Sequence, residues 1–189
     1  MEKLNSYDKI IKAKKAMLFE QPFFATQLFR LKLIEDNTCK TGWTNGIELG
    51  YNSNFIKKLT FNVLKSFLVH EVLHNALLHP FRLIEMKVSD MKLFNVAADF
   101  VVNLIIVDSG MEIGKDWLYD VKYKGLNVEQ VYRLLKSDQQ KKDQVLNRNL
   151  MNLDYFLRQL HKSVVEFEYR PKIKIFVMHR LCFQLLLII

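Results

Sequence analysis

The residues most able to do chemistry are His70-Glu71-Val72-Leu73-His74. On a helix, residues four apart share a face, so two imidazoles in an H-E-x-x-H run can reach one metal ion. Zinc favours imidazole nitrogen and keeps an open position in catalytic sites. Glu71 lies one residue round from the first histidine. It can reach a metal-bound water without binding the metal, which suits a general base. Coordination lowers the pKa of such a water to about 7, making it a nucleophile at neutral pH. With five histidines and ten glutamates in 189 residues, the pattern arises by chance in about one such sequence in a hundred or fewer. The bland reading is a histidine pair on a surface helix. Against it, the motif sits in the run Phe67-Leu68-Val69 to Val72-Leu73 and Leu77-Leu78, where unsatisfied polar side chains would be costly.

A catalytic zinc needs a third protein ligand, and two candidates stand. His79 follows His74 by five residues; on a continuous helix it would point about 140° away from it, unless Pro80 ends the helix and lets it swing back. The favoured candidate is Asp99. Asn95, Asp99 and Asn103 are spaced by four in an otherwise apolar stretch and form one polar line along a buried helix. A buried carboxylate requires a cation, and Asn95 and Asn103 would then hydrogen-bond around the ligands. The structural alternative pairs Asp99 with Arg82 or Lys92.

These residues need elements to hold them. Helical periodicity covers residues 5–20, and a short helix follows from Phe23 to Phe29. Residues 30–52 read as a small antiparallel sheet, with turns at Asp36-Asn37 and Asn45-Gly46. Asn52-Ser53-Asn54 caps a short helix, and Thr60 caps a long one from Phe61 to about Leu78. That helix is apolar on nearly every side, hence buried on nearly every side. Residues 81–91 read as a charged connection. A third long helix runs from about Lys92 to Val107, closed by Gly110. Residues 111–127 form a loop, and Asn127 caps a helix carrying Val131, Leu134 and Leu135. Beyond Ser137 a polar break leads to an amphipathic stretch ending near His161. Lys172 to Ile175 alternate like a strand, and Leu181 to Ile189 are apolar. The fold class expected is α+β.

The pattern resembles the bacterial and phage metallopeptidase domain that usually precedes a von Willebrand factor A-like domain. The resemblance covers roughly residues 8–136. It rests on Gln21-Pro22-Phe23-Phe24, Thr41 to Gly46 with Asn52, the H-E-x-x-H run with His79, and Asn95-x-Ala97-Ala98-Asp99. It continues through Leu118-Tyr119-Asp120 and Tyr123-x-Gly125-Leu126 to Glu129. It implies a zincin-like fold: a small sheet, the H-E-x-x-H helix, and a following helix that completes the site. It also implies a peptide bound as an added strand at the sheet edge, either Thr41 to Thr44 or Ile47 to Tyr51. In zincin-type sites a Tyr often stabilises the oxyanion, which singles out Tyr119 and Tyr123; packing tyrosines are the commoner case. The chain departs from the pattern at its end. Residues 141–189 have room only for the start of the second domain, and its Asp-x-Ser-x-Ser metal motif is missing.

Composition sets the remaining limits. The chain holds 28 Lys+Arg against 20 Asp+Glu, a net charge of +8. Residues 1–140 carry 19 basic and 16 acidic side chains, and residues 141–189 carry 9 and 4. The excess lies mostly in the last quarter, so nucleic-acid binding is a weak reading. Two cysteines exclude a disulfide scaffold and a Cys-rich zinc module. No apolar run reaches the roughly 20 residues of a membrane span, and no signal-peptide core is present. A cytoplasmic location is expected. The expected organisation is a domain over 1–140, then a basic linker with the start of a C-terminal domain over 141–189. The function expected is zinc-dependent hydrolysis of peptide bonds in a peptide or protein substrate. The rival is a catalytically inactive, metal-stabilised interaction module of a larger assembly, with a protein partner engaged through the C-terminal region.

Overall fold

The computed structural model describes residues 5–138 and Asp143. The expectations for residues 141–189, including the strand at Lys172 to Ile175 and the second-domain start, lie outside the described residues apart from Asp143. Among the described residues, seven α-helices and three strands follow one another as α1 (Ser6–Glu20), α2 (Pro22–Arg30), β1 (Lys32–Glu35), β2 (Gly42–Thr44), β3 (Glu48–Tyr51), α3 (Ser53–Lys58), α4 (Phe61–Ala76), α5 (His79–Glu85), α6 (Met91–Asp108) and α7 (Val128–Ser137). Helices and a small sheet in separate parts of the chain make a mixed α/β protein, compatible with the α+β class. Among the described residues, no helix is long and apolar enough to cross a membrane.

The helix starts follow from side-chain capping. Asn5, Asn52, Thr60, Asp90 and Asn127 each accept a hydrogen bond from a backbone N–H of the first turn, satisfying donors that have no partner inside the helix. α7 adds a reciprocal bond from Gln130 to form a capping box.

The sheet differs from the expected all-antiparallel one. Its order is β1-β3-β2. β2 and β3 form the antiparallel hairpin around Asn45-Gly46, with Trp43 opposite Gly50. β1 instead pairs parallel with β3, Leu33 opposite Leu49. The Asp36-Asn37 turn signal opens a loop rather than a hairpin. Asn37 Oδ1 accepts from Ser53 N at 2.9 Å, and Asn52 Nδ2 donates to Cys39 O at 2.6 Å. The loop is thus tied to the start of α3, and the place beside β1 is left to β3. β2 is consequently an edge strand. It lies flush on α4: a Cβ at Gly42 would fall 2.4 Å from Phe67 Cζ and 2.9 Å from Gly50 O, so only glycine fits there.

Two apolar cores flank α6. One gathers α1, α2, the sheet and α4 with Val102 and Ile106; the other gathers Leu93, Phe94, Phe100 and Leu104 with Leu83, Tyr123 and α7. α6 therefore has apolar residues on two faces and packs on α4 and α7. α4 is anchored by Leu64, Leu68 and Val69, all fully buried. A second difference lies after α4. Leu78 adopts a left-handed conformation (φ 57°), and Pro80 sits in the first turn of a new helix, α5, where the missing N–H costs nothing. The expected charged connection over 81–91 is helical through Glu85.

Candidate metal centre

α4 and α6 pack against each other and bring the chemically active residues to one cavity of about 420 Å³. On α4, Val63, Phe67, His70, Glu71 and His74 recur at three- and four-residue steps and all line it; on α6, Asn95, Asp99 and Asn103 do the same. β2 closes another side, with Trp43 and Thr44 among the lining residues. Asn75 Nδ2 donates to Thr44 Oγ1 at 2.8 Å, which ties the end of α4 to this strand.

Three donor atoms converge. His70 Nε2 and His74 Nε2 are 3.0 Å apart. Asp99 Oδ1 lies 3.5 Å from the first and 3.2 Å from the second. All three ligand atoms fall within 4.8 Å of one another, so His70, His74 and Asp99 could together hold a metal ion. The rings are aimed from behind. Asn103 Nδ2 donates to Leu118 O at 2.9 Å, which directs its Oδ1 to His70 Nδ1 at 3.0 Å. An Nδ1–H on His70 donating to that oxygen would leave Nε2 free for a metal ion once the proton it shares with Asp99 is displaced. Arg82 pairs with Glu129 and bonds Leu77 O, while Asp99 faces the histidines.

His79 lies apart from the three. The break at Leu78 swings it back, but to the far side of His74, where the two Nδ1 atoms are 3.2 Å apart. It is 2 % exposed and packs edge-on to Phe94. Asn95 lines the cavity beside Asp99. Tyr119 and Tyr123 are outside the cavity lining. Tyr123 is buried against Phe100 in the second core, and Tyr119 is half-exposed. The loop after α6 contributes Trp117 instead, whose ring meets His70 edge-on at 5.3 Å. Gly114 permits this fold-back, because a Cβ there would fall 2.5 Å from Trp117 Nε1. Nothing in the spacing of Trp117 along the sequence points to the histidine.

The electrostatics are those of a buried charge cluster. Burial pushes the Glu71 carboxyl up to about 7, with Asp99's charge adding to the rise and His70 opposing it. Burial works against ionising Asp99 too, but hydrogen bonds from His70 and His74 and their charges hold its carboxyl well below the usual carboxylate range. His70 is raised, because Asp99 outweighs its burial; His74 is lowered by burial, as is His79, strongly. Glu71 is buried and lines the cavity. The arrangement holds a permanent anion beside two imidazoles, and next to them a carboxyl poised to take or give a proton near neutral pH.

Two helix-borne histidines and an aspartate gathered at a cleft make a donor set that could hold a metal ion. The chain belongs to the family described as "Putative metallopeptidase domain", whose profile matches residues 5–154. No curated protein and no solved structure matches the chain.

Proposed function

We propose that the protein is a zinc-dependent peptidase of zincin-like fold. The observation that carries this is the convergence of His70 Nε2, His74 Nε2 and Asp99 Oδ1 at the wall of a cavity shared with Glu71 and the β2 edge. The donor set fits zinc. Tetrahedral zinc with ligand bonds of about 2.0–2.1 Å has ligand–ligand edges of about 3.3 Å, and the three edges here are 3.0, 3.2 and 3.5 Å. Nitrogen and carboxylate donors suit zinc better than calcium or magnesium, which take oxygen. An ionised Asp99 offsets part of a dication's charge in a buried setting.

Zinc held there supplies Lewis acidity, polarising a peptide carbonyl and bringing water's acidity near neutral pH. The remaining work falls to the chain. Glu71 takes a proton from the attacking water and passes it to the departing amine nitrogen, a task that its place in the cavity next to the metal ligands suits. β2 is an edge strand lining the cavity, so an extended peptide would pair alongside it. Val63, Phe67, Phe55 and Leu59 give the cleft an apolar side against which substrate side chains would pack. The order of elements supports the zincin-like reading: sheet, H-E-x-x-H helix, then a helix bringing the third ligand.

The test is hydrolysis of an unstructured protein substrate by the zinc-loaded full chain, compared with Glu71→Ala. The expected result is that the variant keeps zinc and loses cleavage. A wild-type protein that holds zinc yet cleaves nothing would favour the metal-stabilised interaction module.

A further inference from the structure

We infer that His79 is a positioning residue: its Nδ1 hydrogen-bonds His74 Nδ1 and so fixes the ring that presents His74 Nε2 to the cluster. The inference rests on the zinc reading of His70, His74 and Asp99 for its consequence, though not for the contact itself.

The argument starts from the two histidines of α4. Each has one ring nitrogen facing the other and Asp99. Each has its second nitrogen turned away, and a buried ring nitrogen needs a partner. For His70 that partner is Asn103 Oδ1, at 3.0 Å. For His74 it is His79 Nδ1, at 3.2 Å. The pairing is not a by-product of helical spacing. Residues five apart on one helix point well away from each other. It exists because the chain leaves α4 at Leu78 in a left-handed conformation and restarts at α5. That turn returns His79 to the outer side of His74, with Phe94 closing over it.

When His74 binds a metal through Nε2, its proton must sit on Nδ1. His79 then accepts it through an unprotonated Nδ1, the role that Asn103 plays for His70. Ligand orientation by such partners governs metal affinity by about 10–100-fold. The geometry therefore assigns His79 to holding a ligand rather than to being one.

The experiment uses the full chain labelled with 15N-histidine, metal-free and with added zinc, together with His79→Leu and His79→Asn. His79→Asn places an oxygen acceptor where Nδ1 stood. The first readout is the scalar coupling across the hydrogen bond between the Nδ1 atoms of His74 and His79, which needs neither metal nor activity. The second is zinc affinity by competition with a chromophoric chelator. The expected result is a measurable coupling in the wild type, zinc binding weakened about 10–100-fold in His79→Leu, and affinity within a few-fold of wild type in His79→Asn. A wild type without the coupling overturns the inference, as does a folded His79→Leu protein with unchanged affinity. Loss of zinc in both variants overturns it as well, and makes His79 a ligand. If the wild type binds no zinc, the zinc reading falls, and the coupling alone still decides whether His79 holds His74.

Discussion

Glu71→Gln should stabilise the metal-free protein at alkaline pH and do little in acid. The Glu71 carboxyl is pushed from an ordinary 4.5 up to about 7, chiefly by burial. A carboxyl whose folded pKa lies above its unfolded one binds its proton more tightly in the folded state. Its stabilising contribution is complete below about 4.5 and is lost as pH rises through about 7. Each tenfold in a proton equilibrium is about 1.4 kcal/mol, so the ionised, buried Glu71 costs the folded state roughly 3 kcal/mol at pH 8. Glutamine has nearly the same shape and no charge, so the variant escapes that cost. His70 and Asp99 are coupled to Glu71, the first lowering and the second raising its pKa, so the gap is the net of burial and both charges. The assay is urea unfolding of both proteins at pH 5 and pH 8 with a chelator present. The expected gap is roughly 3 kcal/mol in favour of the variant at pH 8, mostly closed at pH 5. An equal gap at the two pH values, or a wild type more stable than the variant at pH 8, would refute the placement of Glu71 as a carboxyl whose ionisation is opposed by burial.

Two further outcomes follow from the packing. Asn103→Ala removes the acceptor on His70 Nδ1 and the donor to Leu118 O; zinc affinity measured by chelator competition should fall about 10–100-fold. Leu68→Ala deletes a fully buried side chain of α4, and urea unfolding should show a loss of about 2–5 kcal/mol.

Much of the candidate site is legible in the sequence. The H-E-x-x-H spacing and the four-residue line of Asn95, Asp99 and Asn103 each depend only on helical periodicity, and both helices formed with those residues on the cavity side. The helix starts were legible because Asn52, Thr60 and Asn127 cap locally. What escaped was non-local. Alternation along β1 tells which residues share a face but not which strand pairs beside it, so the parallel β1–β3 ladder was unreadable. Pro80 reads equally as a stop for α4 or as the first turn of α5; the left-handed Leu78 decided it, and leucine carries no signal for that conformation. The partnership of His79 with His74 depends on that break, and the contact of Trp117 with His70 depends on how a loop folds back.

The most direct test of the central claim is metal content of the purified full chain after exposure to zinc and dialysis, measured beside Asp99→Ala. The account predicts about one zinc per wild-type chain and far less than one in the variant. A wild type that retains no zinc, or an Asp99→Ala protein that keeps a full complement, would contradict it.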